Sequence, residues 1–259
     1  MDLGLEGRPA LVSAASRGLG LACATSLARE GARVAICARR LEDVEAARAG
    51  IEQATGAEVH AVTADVATEE GARGFVREAV AALGGCQILV CNAGGPPPGG
   101  ALDVTDRDYM AALELNFLST VRMCREALPH MREAAYGRIV GITGSAVKQP
   151  IPGLALSNAS RAATTGFLKS LAREVAAEGI TVNAVLPGRL LTSRIRQLAT
   201  AQGQSEEEGI EQLAAAVPMA RLGEPMELGD VVAFLASERA SYLTGVMLSV
   251  DGGMYAGVF

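Results

Sequence analysis

Ala10-Leu11-Val12-Ser13-Ala14-Ala15-Ser16-Arg17-Gly18-Leu19-Gly20 is an apolar run, a turn of small residues and the opening of a helical pattern. A strand that feeds a helix through a glycine-containing turn is the first leg of a βαβ unit. The same alternation continues outward. Apolar or β-branched runs at 10–13, 33–37, 58–62, 87–91, 138–143, 181–186 and 246–250 predict seven strands. Between them, residues 19–30, 69–83, 106–132 and 157–178 place apolar side chains at helical spacing. Strands alternating with helices imply a parallel sheet covered on both faces, and right-handed crossovers make it doubly wound. The ligand crevice of such an α/β sheet lies beyond the carboxyl ends of its strands.

The rest of the composition narrows the function. Of 259 residues, 49% are hydrophobic and 20% charged, enough for a large core in one domain, 1–259. The net charge of −6 with no basic run argues against nucleic acid and anionic membrane as partners. No apolar run reaches a membrane-spanning length, so a cytoplasmic location is expected. Cys23, Cys37, Cys86, Cys91 and Cys124 form no CxxC pair, and His60 and His130 are far apart, so no metal site is expected. Two segments stand out as possible walls of a cleft. One is the GGPPPGG stretch at 94–100; the other is 190–217, read either as a lid or as a solvated helical insertion.

Gly18 and Gly20 let the backbone approach a pyrophosphate, with the helix N-terminus facing the phosphates. At the end of the second strand, where an acid would accept hydrogen bonds from a ribose 2′-hydroxyl, stands Ala38, followed by Arg39 and Arg40. Arginines there suit a 2′-phosphate through charge-assisted bonds, and Arg17 in the turn can reach the same group. The pattern favours NADP(H) over NAD(H); the bland alternative is a pair of solvated loop arginines.

Six motifs in order resemble the short-chain dehydrogenase/reductase superfamily, especially its 3-oxoacyl-carrier-protein reductase-like branch. They are the turn at 13–20, Asp65-Val66, Cys91-Asn92-Ala93-Gly94, Asn116, Pro187-Gly188 with Thr192, and Val250-Asp251-Gly252-Gly253. The resemblance covers nearly the whole chain and implies a Rossmann-type fold and a homotetramer or homodimer. Helices at 106–132 and 157–178 would pack against their mates, the second through Ala159, Ala162, Ala163, Gly166 and Ala172. It also implies that Ser13, Ser16, Arg17, Gly18, Leu19 and Gly20 line the phosphates, that Asp65 and Val66 meet the adenine and that Asn92, Ala93 and Gly94 line the adenosine ribose. Leu190 and Thr192 would hold the nicotinamide carboxamide, with Pro187 and Gly188 also among the cofactor-binding residues. The family's first turn glycine is Ala14 here; a positive φ at that position would strain alanine by about 1 kcal/mol or more.

The catalytic pattern of the family is a Ser, a Tyr and a Lys, with an Asn in the preceding helix. Counting from Arg138, those positions fall on Gly144, Ser157 and Arg161, and only Asn116 is retained. A serine is too weak an acid and too short to replace the phenol. A guanidinium at 161 can bond ribose hydroxyls but stays protonated and relays no proton. Ser145, one residue past the serine position, can supply the missing hydroxyl if the loop shifts. Lys148, Tyr109, or water held by Asn116, Ser145 and Ser157 are alternative proton sources. Three readings follow: an NADP(H)-dependent oxidoreductase of a small or acyl-type carbonyl with a nonstandard proton donor, an NADP(H)-binding pseudoenzyme serving as redox sensor or partner subunit, or a lyase or isomerase reusing the cleft.

Overall fold

The computed structural model describes residues 1–200 and 205–258. Seven strands form one sheet: β1 (Pro9–Val12), β2 (Arg33–Ala38), β3 (Val59–Thr63), β4 (Ile88–Cys91), β5 (Gly137–Ile142), β6 (Ile180–Pro187) and β7 (Met247–Val250). Their order is β3-β2-β1-β4-β5-β6-β7, and every adjacent pair is parallel. The seven runs read from the sequence match these strands to within a residue or so.

Alternation along each strand divides the core into two layers. Ala10 and Val12, Val34 and Ile36, and Ile88 and Val90 face α1 (Gly18–Arg29), α2 (Leu41–Thr55) and α9 (Pro225–Ala236). Leu11, Ala35, Cys37, Leu89 and Cys91 face the other way, onto α3 (Glu69–Leu83), α5 (Ser119–Glu133) and α6 (Ala155–Val175). All five cysteines are buried free thiols within these layers. Burial pushes the Cys86 thiol well above its ordinary range, which suits a small core hydrophobe.

The helix expected over 106–132 is divided. After α4 (Asp106–Leu113) comes a π-helical turn, Glu114–Leu118, in which the Ser119 N–H reaches back to the Glu114 carbonyl, and α5 then continues. The extra residue in this turn changes which donor meets the Asn116 carbonyl. That oxygen accepts from the hydroxyls of Thr120 (2.9 Å) and of Thr164 on α6 (3.2 Å). The segment at 190–217 contains two helices, α7 (Ser193–Thr200) and α8 (Glu206–Ala215), so its helical content belongs to both readings made of it. Part of the polar stretch within it, 201–204, lies outside the described residues. Among the described residues no helix is long and apolar enough to cross a membrane, and no cluster of three or more potential metal ligands occurs.

Candidate active site

Strand order reverses between β1 and β4, and the loops leaving these two strands lock together there. The Ser13 hydroxyl donates to the Asn92 carbonyl (2.7 Å) and accepts from the Asn92 N–H (2.9 Å), while Asn92 Nδ2 donates to the Ala14 carbonyl (3.0 Å). Ser13 is completely buried, so its hydroxyl braces the turn; a ligand contact expected of this side chain would have to come from its backbone. Ala14 takes the left-handed conformation, φ +48°, so the strain foreseen for an alanine in this turn is present. Gly18 is also left-handed at φ +60°. Gly20 allows the closest approach: a β-carbon there would stand 2.5 Å from the Ala14 carbonyl and 2.7 Å from Asn92 Nδ2.

The start of α1 fits a phosphate. No side chain caps its first turn, whereas Thr68, Thr105 and Ser205 cap α3, α4 and α8. The uncapped amides and the helix dipole therefore remain available to an anion. Ser16 and Leu19 are half-buried beside the turn, Arg17 is exposed, and Gly94 has open space where a side chain would be. At the end of β2, Arg39 is exposed, but Arg40 is bound to Asp43 by two 2.7 Å contacts. The Arg40 guanidinium, with Arg17 and Arg39 adding their charges, holds the Asp43 carboxyl below its usual range. Three cations thus surround one acid, and Arg39 and Arg17 are the two without a bidentate partner. Asp65 turns one carboxylate oxygen to the Ala67 N–H (3.1 Å), and Val66 is buried beside it.

Past β6, Pro187 and Gly188 lead into the 190–217 segment. A β-carbon at Gly188 would meet Asp251 at 2.6 Å, which requires glycine at this crossing. The Leu190 side chain is buried in the core, leaving its backbone at the crevice, where it bridges Gly223. Thr192 packs toward Gly18, its methyl 3.6 Å from the point where a Gly18 side chain would begin. A cavity of about 310 Å³ opens on the other side of this loop, between Leu190, Val217, Gly223 and Asp251.

Helix α6 reaches the crevice because Gly141 on β5 has no side chain: a β-carbon there would lie 2.4 Å from Leu168. Close approach carries the first turns of α6 over the end of β5. Arg161 Nε donates to Ser157 Oγ (3.2 Å), and Nη1 donates to the carbonyls of Ile142 (3.1 Å) and Thr143 (2.8 Å). Burial, aided by the charge of Arg194, pulls this guanidinium down to about 10. Beside it lies a pocket of about 10 Å³ bordered by Asn92, Ala93, Asn116, Thr143, Arg161 and Thr164, room for about one water. Asn116 Nδ2 is held near the Ala112 carbonyl and Ser160 Oγ, each at 3.4 Å.

A β-carbon on Gly144 would face Arg161 Cδ at 3.7 Å, so Gly144 is the position opposite the arginine. Its backbone is extended, which turns the next side chain to the opposite side. Ser145 opens a short 3-10 turn, and among the described residues no hydrogen bond joins its hydroxyl to Ser157 or Arg161. Tyr109 is directed elsewhere as well, its hydroxyl donating to the Ala101 carbonyl (3.1 Å). Lys148 lies with its ammonium 4.8 Å from the Tyr255 ring centroid. Of the four tyrosines, Tyr109, Tyr136, Tyr242 and Tyr255, none is on α6. The 94–100 loop is tied to the start of α6, Gly99 N–H donating to the Gly153 carbonyl (2.7 Å) and Ala155 N–H to the Gly99 carbonyl (3.1 Å). Tyr255 and Arg194 were not foreseen. No local motif marks either one, and only folding brings them to this end of the sheet.

The chain matches the family model described as enoyl-(acyl carrier protein) reductase over residues 13–255. Glucose 1-dehydrogenase of Gluconobacter oxydans is 34% identical over 96% of this chain and 92% of its own length. A 3-oxoacyl-(acyl-carrier-protein) reductase of Staphylococcus aureus is 33% identical over 96% and 98%. The chain belongs to the short-chain dehydrogenase/reductase superfamily. Among solved structures, L-sorbose reductase of Gluconobacter frateurii, crystallised with NADPH and L-sorbose, superposes with a TM-score of 0.96 at 33% identity over 100% of both chains. YwfH, an NADPH-dependent reductase involved in bacilysin biosynthesis, gives 0.92 at 28% identity over 97% and 99%.

Proposed function

We propose that this short-chain dehydrogenase/reductase is an NADP(H)-dependent oxidoreductase that moves hydride between nicotinamide and a carbonyl or alcohol carbon with a nonstandard proton donor. The observation that carries the reading is the pair Ser157 and Arg161, hydrogen-bonded one helical turn apart at the crevice where the resemblance places a phenol and an amine. The cofactor frame around them is retained: an uncapped α1, the Ser13–Asn92 lock and the Thr192–Gly18 contact. When bound, NADPH supplies the hydride. Arg39 and Arg17 bind the 2′-phosphate, the first-turn amides of α1 hold the pyrophosphate, and Leu190 and Thr192 fix the carboxamide.

Within the crevice Arg161 orients and Ser157 supports. The guanidinium is anchored by the carbonyls of Ile142 and Thr143 at the end of β5 and can hydrogen-bond ribose or substrate oxygen, but below about pH 10 it gives up no proton. The proton for a developing alkoxide therefore comes from water in the Asn116–Arg161 pocket or from Lys148. Loss of a positioned general acid lowers turnover by about 10²- to 10⁴-fold, whereas orientation of hydride and acceptor persists. The test is NADPH oxidation by purified protein across a carbonyl panel, beside the variant Gly144→Ser/Ser157→Tyr/Arg161→Lys. The variant is expected to gain activity while binding NADPH comparably. A folded variant that binds NADPH without gaining activity overturns the assignment of these three positions.

The absence of any tyrosine on α6 also supports a second reading, a pseudoenzyme that senses NADP(H). It requires a conformational or association change on NADPH binding that NADP⁺ does not produce, with no oxidation of NADPH by any carbonyl in the panel.

A further inference from the structure

The crevice beside α6 collects positive charge with no acid set against it. Arg161 uses three of its five donors on Ser157 and the carbonyls of Ile142 and Thr143, and Nη2 makes no hydrogen bond among the described residues. Arg194, two residues beyond Thr192, lays its guanidinium over Gly95, 3.3 Å from where a β-carbon would stand. Its charge reaches Arg161. Every ion pair among the described residues lies elsewhere; none includes Arg161, Arg194 or Lys148. Asp251, packed beneath Gly188, turns its carboxylate to the N–H groups of Gly253 and Tyr255 (each 3.0 Å). Arg161 is enclosed and Arg194 is exposed at its outer side, and an anion that reaches both would be attracted by two charges that no acid of the chain neutralises.

We infer that the substrate is an anionic carbonyl compound, an oxo-acid, whose carboxylate is held by Arg194 and the outer edge of Arg161. This deepens the hydride-transfer reading and rests on it for the reacting carbonyl. Cofactor phosphate is the competing anion, and position argues against it. Thr192 marks the level of the glycine turn by its contact with Gly18, whereas Arg194 lies over Gly95 and its charge reaches Arg161. A planar guanidinium with parallel N–H groups matches a carboxylate bidentately.

The test titrates the NADP⁺-loaded protein by calorimetry with acetoacetate, 4-oxopentanoate and phenylpyruvate, each against its methyl ester. At least one acid is expected to bind about tenfold or more tightly than its ester. Arg194→Met should narrow that gap to about twofold and Arg194→Lys should keep part of it, with NADP⁺ affinity held within about twofold in both. Equal binding of acid and ester throughout, or no binding of any acid, overturns the inference. So does a large loss of NADP⁺ affinity in Arg194→Met, which would assign Arg194 to the cofactor. Discrimination by Arg194 without turnover of any carbonyl would leave the anion site standing and sink the hydride-transfer reading instead.

Discussion

At the residue scale, the first turn carries strain that a single substitution can relieve. Ala14 sits at φ +48°, a conformation that costs an L-residue roughly 1–2 kcal/mol and glycine almost nothing. Glycine also loses more entropy on folding, so the net gain from Ala14→Gly is about 0.5–1 kcal/mol. Chemical denaturation should show that gain with an unchanged m-value; a loss would mean that the alanine side chain contributes packing that outweighs the strain. Arginine at 161 makes a second prediction. Its pKa is lowered to about 10 in the folded chain, below that of a solvated guanidinium, so the folded state disfavours its charge. Between about pH 10 and the unfolded value, the unfolded chain binds more protons, and stability from this group rises with pH there. Below about pH 10 the group is charged in both states, so NADPH oxidation should show no limb from Arg161 between pH 6 and 9. A limb there that disappears in Arg161→Met would contradict this.

Elements carry the site to the extent that glycines allow them to approach. Gly20→Ala would set a β-carbon against the Ala14 carbonyl and Asn92 Nδ2, forcing α1 away from the β1–β4 junction. The expected cost is about 1–3 kcal/mol, with NADPH binding weakened more than global stability because the displaced groups surround the phosphate position. Thermal denaturation with and without NADPH separates the two effects. The same reasoning explains what the sequence could reveal. Apolar runs flanked by turns made all seven strands legible, because a strand buried on both faces must be apolar throughout. The helix over 69–83 was equally clear from its periodicity. By contrast, the π-helical turn at Glu114–Leu118 has no marker in apolar spacing, and the hydroxyl that helps satisfy its Asn116 carbonyl comes from Thr164 on another helix. Position counting put Gly144 at the family's serine position and Arg161 at its lysine position, but that the two face each other depends on how α6 packs over the end of β5. The pairing of Arg40 with Asp43 was likewise legible only as a nearby opposite charge.

For the whole molecule, the question is which surface the chain presents to a second copy. Helix α6 leaves Ala159, Ala162 and Gly166 exposed, while Ala172 is buried in the core. A β-carbon at Gly166 would meet nothing within 4 Å, so this part of the helix is smooth and unpartnered within one chain. We propose that it packs against its mate in a homodimer or homotetramer, where small residues let helix backbones come close. A side chain at 166 should then act only on assembly. Gly166→Leu replaces a poor helix former by a good one and has room within the chain, so the isolated fold should keep its helix content and gain up to about 1 kcal/mol. Between two copies the same side chain would collide, and sedimentation should show a smaller particle than the wild-type protein. An unchanged particle mass would move the interface away from α6. Exposed Phe234, Tyr242, Leu243 and Leu248, on α9 and around edge strand β7, would then be the next surface to substitute.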